Sequence, residues 1–284
     1  MVNAPANIPS LLRHARPEVV SAIRKASEKT GVDFSYLVQN AAAESSLNPS
    51  AHSAASSARG LFQFIDSTWL DTVDKHGAEQ GLGKAAAAIT RDSNGKPVVH
   101  DAAVRRQILA MRDNPAIAAM MAAEFTKDNK TTLESTLGRK VDNGELYMAH
   151  FLGASGAGKV ISKKEEAPGA LASQLLPNAA MANHSVFFAA GKALSVNELY
   201  GKLASNFANE SELAGPAVAA VSTIAMPDAN AALALALTGV KPAHNQAESN
   251  TVNSPYGMQA FTLELFKSLS LPGKDALTGK HWKA

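Results

Sequence analysis

The stretch ESSLNPSAHSAASSARGLFQFIDSTWL, residues 44–70, joins one helix to the next and leaves an acidic residue at the junction. Upstream of it, Asp33 is a good N-cap, and Phe34, Leu37, Val38, Ala41 and Ala42 form one apolar stripe ending at Glu44 and Ser45. Asn48-Pro49 breaks this pattern, because a residue that precedes proline is pushed out of the helical region. Ser and Ala fill residues 50–58, a loop composition, and lead into GLFQFIDSTWL. There Asp66 or Ser67 can cap a short helix that carries Trp69 and Leu70.

Working outward, an earlier helix is predicted from Pro17 to about Lys29, with Val19, Val20, Ile23 and Ala26 at helical spacing and Gly31 as its stop. Asn94-Gly95 lies between two short runs and predicts a small β-hairpin, weakened on its second side by Pro97. Helical patterns resume from Asp101 through Met111, and from Asn114-Pro115 through Phe125. Another helix carries Leu146, Tyr147, Ala149, His150 and Leu152 up to the glycine-rich break GASGAG. Residues 1–164 therefore read as one mainly α domain with a small β-hairpin. Residues 165–284 are rich in Ala, Ser and Asn and read as a partly disordered helical tail, with helices at about 195–208 and 257–269. The rest of that segment reads as extended, and cutting the chain after about residue 164 is expected to leave activity intact.

Bulk composition narrows the function. Apolar residues make up 46% of the 284, yet aromatics only 6%, so much of the apolar share is helix-favouring alanine. Lys and Arg number 27 against 25 Asp and Glu, a near balance that argues against a nucleic-acid partner. With no cysteine, disulfides, thiol catalysis and cysteine-ligated zinc are excluded together. No histidine cluster has metal-ligand spacing, so neither metal nor cofactor is expected. No apolar run reaches the length of a membrane span, and MVNAPANIPSLLRHARPEVV has no signal-peptide core, so the route of export is open.

Glu44 lies seven residues after Leu37 and three after Ala41, on the apolar face of its helix. Desolvation there would penalise the charged form and favour a protonated carboxyl able to act as a general acid. The alternative is an ordinary helix-end glutamate that reaches water. Glu124 has the same relation to Ile117, but Lys127 and Asp128 follow it at helical spacing and favour a surface ion pair. Asp66, Asp71 and Asp74 have no motif that promotes any of them to a second catalytic carboxylate.

Three separated segments, Glu44-Ser45, Asn48-Pro49 and Gly60-Leu61-Phe62-Gln63, are similar in order to the signature of lytic transglycosylases with the lysozyme-like fold, with a glutamate-to-glycine gap about one residue longer than in the commonest members. The resemblance spans roughly residues 18 to 160. It departs from the family at Ala149-His150-Phe151-Leu152-Gly153, where members carry an AYNxG stretch. This AHFLG after ELY also resembles a branch found in envelope-spanning machineries such as flagella, which implies an envelope-machinery partner for the tail.

What the resemblance implies is cleavage of the β-1,4 bond between N-acetylmuramic acid and N-acetylglucosamine in peptidoglycan, without water and with formation of 1,6-anhydro ends. Glu44 would be the single catalytic residue, first acid and then base. The resemblance further implies Ser45, Ser53 and Gln63 as substrate-binding or glutamate-steadying groups, and points to Tyr147 and His150 as replacements for the missing asparagine. The periplasm or cell wall is the expected location. Two alternatives stay open: a hydrolytic muramidase on the same fold, and a catalytically idle peptidoglycan-binding assembly module.

Overall fold

The computed structural model describes residues 8–13, 15–54, 56–205 and 207. Among them the architecture is mainly α, as expected. A short α1 (Ile8–Arg13) precedes α2 (Pro17–Thr30), which begins on proline and ends where Gly31 turns left-handed at φ 73. Asp33 caps α3 (Phe34–Ser45) by accepting from the Tyr36 N–H. α4 (Asp66–His76), α5 (Gly83–Ala87) and α6 (Ala102–Ala110) follow, then a 3₁₀ turn over Met111–Asp113. The two long helices are α7 (Pro115–Leu137), capped by Asn114, and α8 (Asn143–Glu166), opened by a capping box between Asp142 and Glu145. α7 packs against both α2 and α8.

The small hairpin is present as β1 (Thr90–Arg91) and β2 (Pro97–Val98), paired antiparallel with Thr90 opposite Val98. Pro97 is tolerated because each strand of a two-stranded ribbon has a free edge.

Three local expectations change. Ile65, not Asp66 or Ser67, occupies the N-cap of α4; the Asp66 carboxylate is drawn instead to Arg105 and Arg112. Within GASGAG only Gly153 leaves the helix, at φ 71 and ψ 156, and the remaining residues continue α8 beyond a kink. Their small size serves packing, since a Cβ on Gly158 would meet Thr136 Cγ2 of α7 at 3.3 Å. Finally, residues 172–193, read as extended, form α9 (Ala172–Leu175), α10 (Pro177–Ala182), α11 (His184–Phe187) and the paired β3 (Phe188–Ala189) and β4 (Lys192–Ala193). The expected helix near 195–208 is α12 (Val196–Ala204), and the one expected at 257–269 lies outside the described residues.

These pieces build two apolar cores. The larger gathers Val19, Ile23, Leu37, Val38, Leu61 and Trp69 around α7. The smaller joins Phe151, Val160 and Ile161 of α8 to Leu176, Phe187, Leu199 and Leu203. Ala-rich segments with weak periodicity become helical here because α8 gives them an apolar surface to cover.

Candidate active site

Glu44 sits in the last turn of α3 and is 6% exposed. Directly after it the backbone reverses through two left-handed residues that are not glycine, Ser46 at φ 53 and Leu47 at φ 62. The Leu47 N–H reaches back to the Ala41 carbonyl at 3.2 Å and the Ser46 N–H to that of Ala42 at 2.9 Å, which closes the helix end. Such conformations cost on the order of 1 kcal/mol each. Both fall just after the buried Glu44 and end its helix there.

The loop that follows is held from beneath. Ser45 is fully buried, and its hydroxyl faces the Ala41 carbonyl at 3.0 Å and the Leu61 carbonyl at 2.7 Å, pinning α3 to the Gly60–Gln63 segment. Gln63, left-handed at φ 47, donates its amide N–H groups to the carbonyls of Ala51 and Gly60 at 3.0 and 2.9 Å. Gly60 itself passes so close to Arg112 that a Cβ would lie 2.0 Å from the Arg112 carbonyl oxygen.

The Arg112 side chain completes this base. It is 5% exposed, donates to the carbonyls of Leu109, Ser57 and Phe64, and pairs with Asp66 at 3.0 Å. Burial pulls its pKa below the usual guanidinium value, against the opposing pull of Asp66. Ser53 lies half-buried in the same loop, its N–H bonded to the Ala58 carbonyl at 3.0 Å.

Across from α3, the first half of α8 contributes His150. Its Nε2 lies 3.1 Å from Glu44 Oε1, and the side chains are 19% and 6% exposed. Tyr147 stacks on the imidazole with centroids 6.0 Å apart and planes 16° apart, while Phe125 of α7 meets it edge-on at 6.2 Å. Glu44, His150 and Tyr147 are thus brought together. The Ser45 hydroxyl and the Gln63 amide N–H groups are instead engaged inside the loop scaffold.

Two neighbours escaped the sequence reading. Tyr36 is 1% exposed, and burial pushes its hydroxyl pKa well up, with a Thr126 hydrogen bond opposing and the Glu44 charge adding to the rise. Its place eight residues before Glu44, on the same apolar stripe, was the available signal. Phe125 was overshadowed by the adjacent Glu124.

The remaining acids are engaged elsewhere. Glu124 is more buried than a surface pair would be, at 2% exposed, yet it does pair with Lys127 and accepts from Gln80 at 2.7 Å. Asp71 holds Lys75 and Arg91, Asp74 holds Arg91, and Asp66 holds Arg105 and Arg112. Among the described residues, no group of three His, Asp or Glu side chains could hold a metal ion. Nor is any described helix long and apolar enough to cross a membrane.

Residues 21–85 match the family described as the transglycosylase SLT domain. The match takes in Glu44 and the Gly60–Gln63 turn, so the resemblance read from the motifs holds for this part of the chain. It ends before α7 and α8, which supply Phe125, Tyr147 and His150. Residues 21–85 are thus similar to the SLT domain of transglycosylases, a lysozyme-like domain, which agrees with the mainly α architecture.

Proposed function

We propose that this protein is a peptidoglycan lytic transglycosylase that cuts the β-1,4 bond between N-acetylmuramic acid and N-acetylglucosamine and leaves 1,6-anhydro-muramyl ends. Glu44 gives its proton to the glycosidic oxygen as the C1–O bond breaks and positive charge develops at C1. As a carboxylate it then takes the proton of the C6 hydroxyl, whose oxygen closes on C1. No water enters and Glu44 returns to its starting state.

The observation that carries this reading is that Glu44 is buried at a helix end with an imidazole as its hydrogen-bonding side chain, while Asp66, Asp71, Asp74 and Glu124 are tied into ion pairs. Of these candidate carboxylates Glu44 alone is not paired with a lysine or arginine, which suits a mechanism in which one residue is acid and then base. A hydrolase would need a second carboxylate to activate water. The Ser45 hydroxyl and the Gln63 amide N–H groups are taken up by backbone carbonyls, and Ser53 and Tyr147 stay sugar-contact candidates on the family resemblance. Residues 1–164 form the catalytic part in this reading, and 165–284 carry an additional segment that docks to an envelope partner in the periplasm or cell wall.

Mass spectrometry of muropeptides released from purified peptidoglycan by the wild type and by Glu44→Gln tests the proposal. Anhydro-muramyl products that vanish in the variant are expected. Hydrated reducing ends would make the protein a muramidase, and intact peptidoglycan with both proteins would make it a binding module.

A further inference from the structure

The family stretch AYNxG is AHFLG here, and the two altered positions go in different directions. Phe151 turns into the smaller apolar core, among residues of α9–α12, and is 5% exposed. His150 turns the other way, to Glu44. Among the described residues it is the one side chain hydrogen-bonded to that carboxyl. Its ring has little freedom, with Tyr147 stacked on one face and the Phe125 edge against it.

We propose that His150 is a positioning residue for Glu44 rather than a sugar ligand: its Nε2–H donates to Oε1 through the whole reaction and leaves Oε2 as the oxygen that exchanges protons. This rests on the reading of Glu44 as the acid and base. A carboxyl that accepts at Oε1 holds its own proton on Oε2, toward the bond to be cut. When that proton passes to the glycosidic oxygen, the glutamate gains a full negative charge, and the N–H···O contact becomes charge-assisted and stronger. The interaction is therefore stronger after proton transfer than before it, the condition for accelerating the step and not merely binding the substrate. When Oε2 takes the C6 hydroxyl proton the contact relaxes. His150 keeps its own proton throughout, so the proton count closes on Glu44 alone.

Among the described residues, the ion pair of the imidazole is the one with Glu44. The Tyr36 hydroxyl, near enough to feel the Glu44 charge, is held neutral chiefly by burial, and the His76, Glu124, Lys127 and Asp128 side chains pair among themselves between α4 and α7.

The test compares steady-state cleavage of purified glycan strands by the wild type, His150→Phe, His150→Gln and Glu44→Gln, with ¹⁵N NMR of the His150 ring in the first and last. His150→Phe should lower kcat on the order of 100-fold while KM stays within about twofold. His150→Gln, whose amide N–H can reach Oε1, should recover at least about tenfold of that loss. Should His150→Phe fail to fold, the same kcat-only loss of smaller size in His150→Gln carries the comparison. The ring should be the Nε2–H tautomer in the wild type. A rise in KM with kcat kept, or an Nδ1–H tautomer with Nε2 as acceptor, would overturn the proposal. The NMR result stands whether or not strands are cut. Undiminished anhydro release by Glu44→Gln would instead sink the acid assignment itself.

Discussion

The ring of Phe207 stacks on that of Tyr147, centroids 4.1 Å and planes 24° apart, and Tyr147 in turn stacks on His150. Phe207 also meets Tyr36 at 5.6 Å, so a residue beyond α12 touches both helices that hold the Glu44–His150 pair. Phe207 is 8% exposed, and removing a buried phenylalanine ring costs about 3 kcal/mol. Phe207→Ala is accordingly expected to lower the melting temperature by several degrees and to reduce strand cleavage, because Tyr147 loses the surface that orients it. An unchanged thermal melt would show that the stack contributes nothing.

Cutting the chain after residue 164 is the larger version of that change. From the sequence it looks harmless, since every site candidate precedes the cut. The packing reverses this expectation. The truncated chain would expose Phe151, Val160 and Ile161, which are covered by Leu176, Phe187, Leu199 and Leu203, and would lose Phe207 as well. Circular dichroism and muropeptide release should show a weakened or aggregating protein with little activity. A soluble fragment as active as the full chain would refute the coupling.

Gly60 and Gly95 make a paired test of the turn beneath the site. Both have positive φ, 83 and 75, so alanine is strained at each by about 1 kcal/mol. At Gly95 nothing lies within 4 Å of the added Cβ, whereas at Gly60 it would sit 2.0 Å from a backbone oxygen. Gly95→Ala should therefore cost little, and Gly60→Ala should exceed about 3 kcal/mol and abolish cleavage. Equal denaturation midpoints for the two variants would contradict the close approach of Gly60 to Arg112.

Local rules made much of this legible. Asp33 and Asn114 announce their helices, Gly31 ends one, and Asn94-Gly95 marks the hairpin, because each acts on its own backbone neighbours. The burial of Glu44 also follows from spacing along one helix. Its contact with His150 does not, since 106 residues separate them and only packing of α8 across α3 closes the gap. Ser45 and Gln63 illustrate a different gap. Residue type says that a side chain can donate, but not that a neighbouring carbonyl has already taken the hydrogen. The helices α9–α11 were hidden for a third reason, as their burial comes from α8 and not from any amphipathic period of their own.

The start of α8 is set by Glu145, whose carboxylate receives Arg139 at two points, 2.9 and 2.8 Å, and the Tyr200 hydroxyl at 3.4 Å. Burial pushes this carboxyl up, but Arg139, the Asp142 N–H and Tyr200 together outweigh it, and its pKa falls below the usual glutamate value. The Tyr200 hydroxyl is pushed up to about 12 by burial and by the charges of Asp142 and Glu145. A carboxyl whose folded pKa is depressed adds stability that is fully present above its unfolded value, about 4.3, and lost as pH falls through the folded one. Glu145→Gln should therefore cost about 2 kcal/mol at neutral pH, the worth of a hydrogen bond to a charged group, and progressively less below about pH 4. Because Tyr147 and His150 ride on the same helix turns, the variant should also lose activity at neutral pH. Urea melts of both proteins between pH 3 and 7 check the sign: a stability gap that widens toward acid would mean that Glu145 is not held ionised by Arg139.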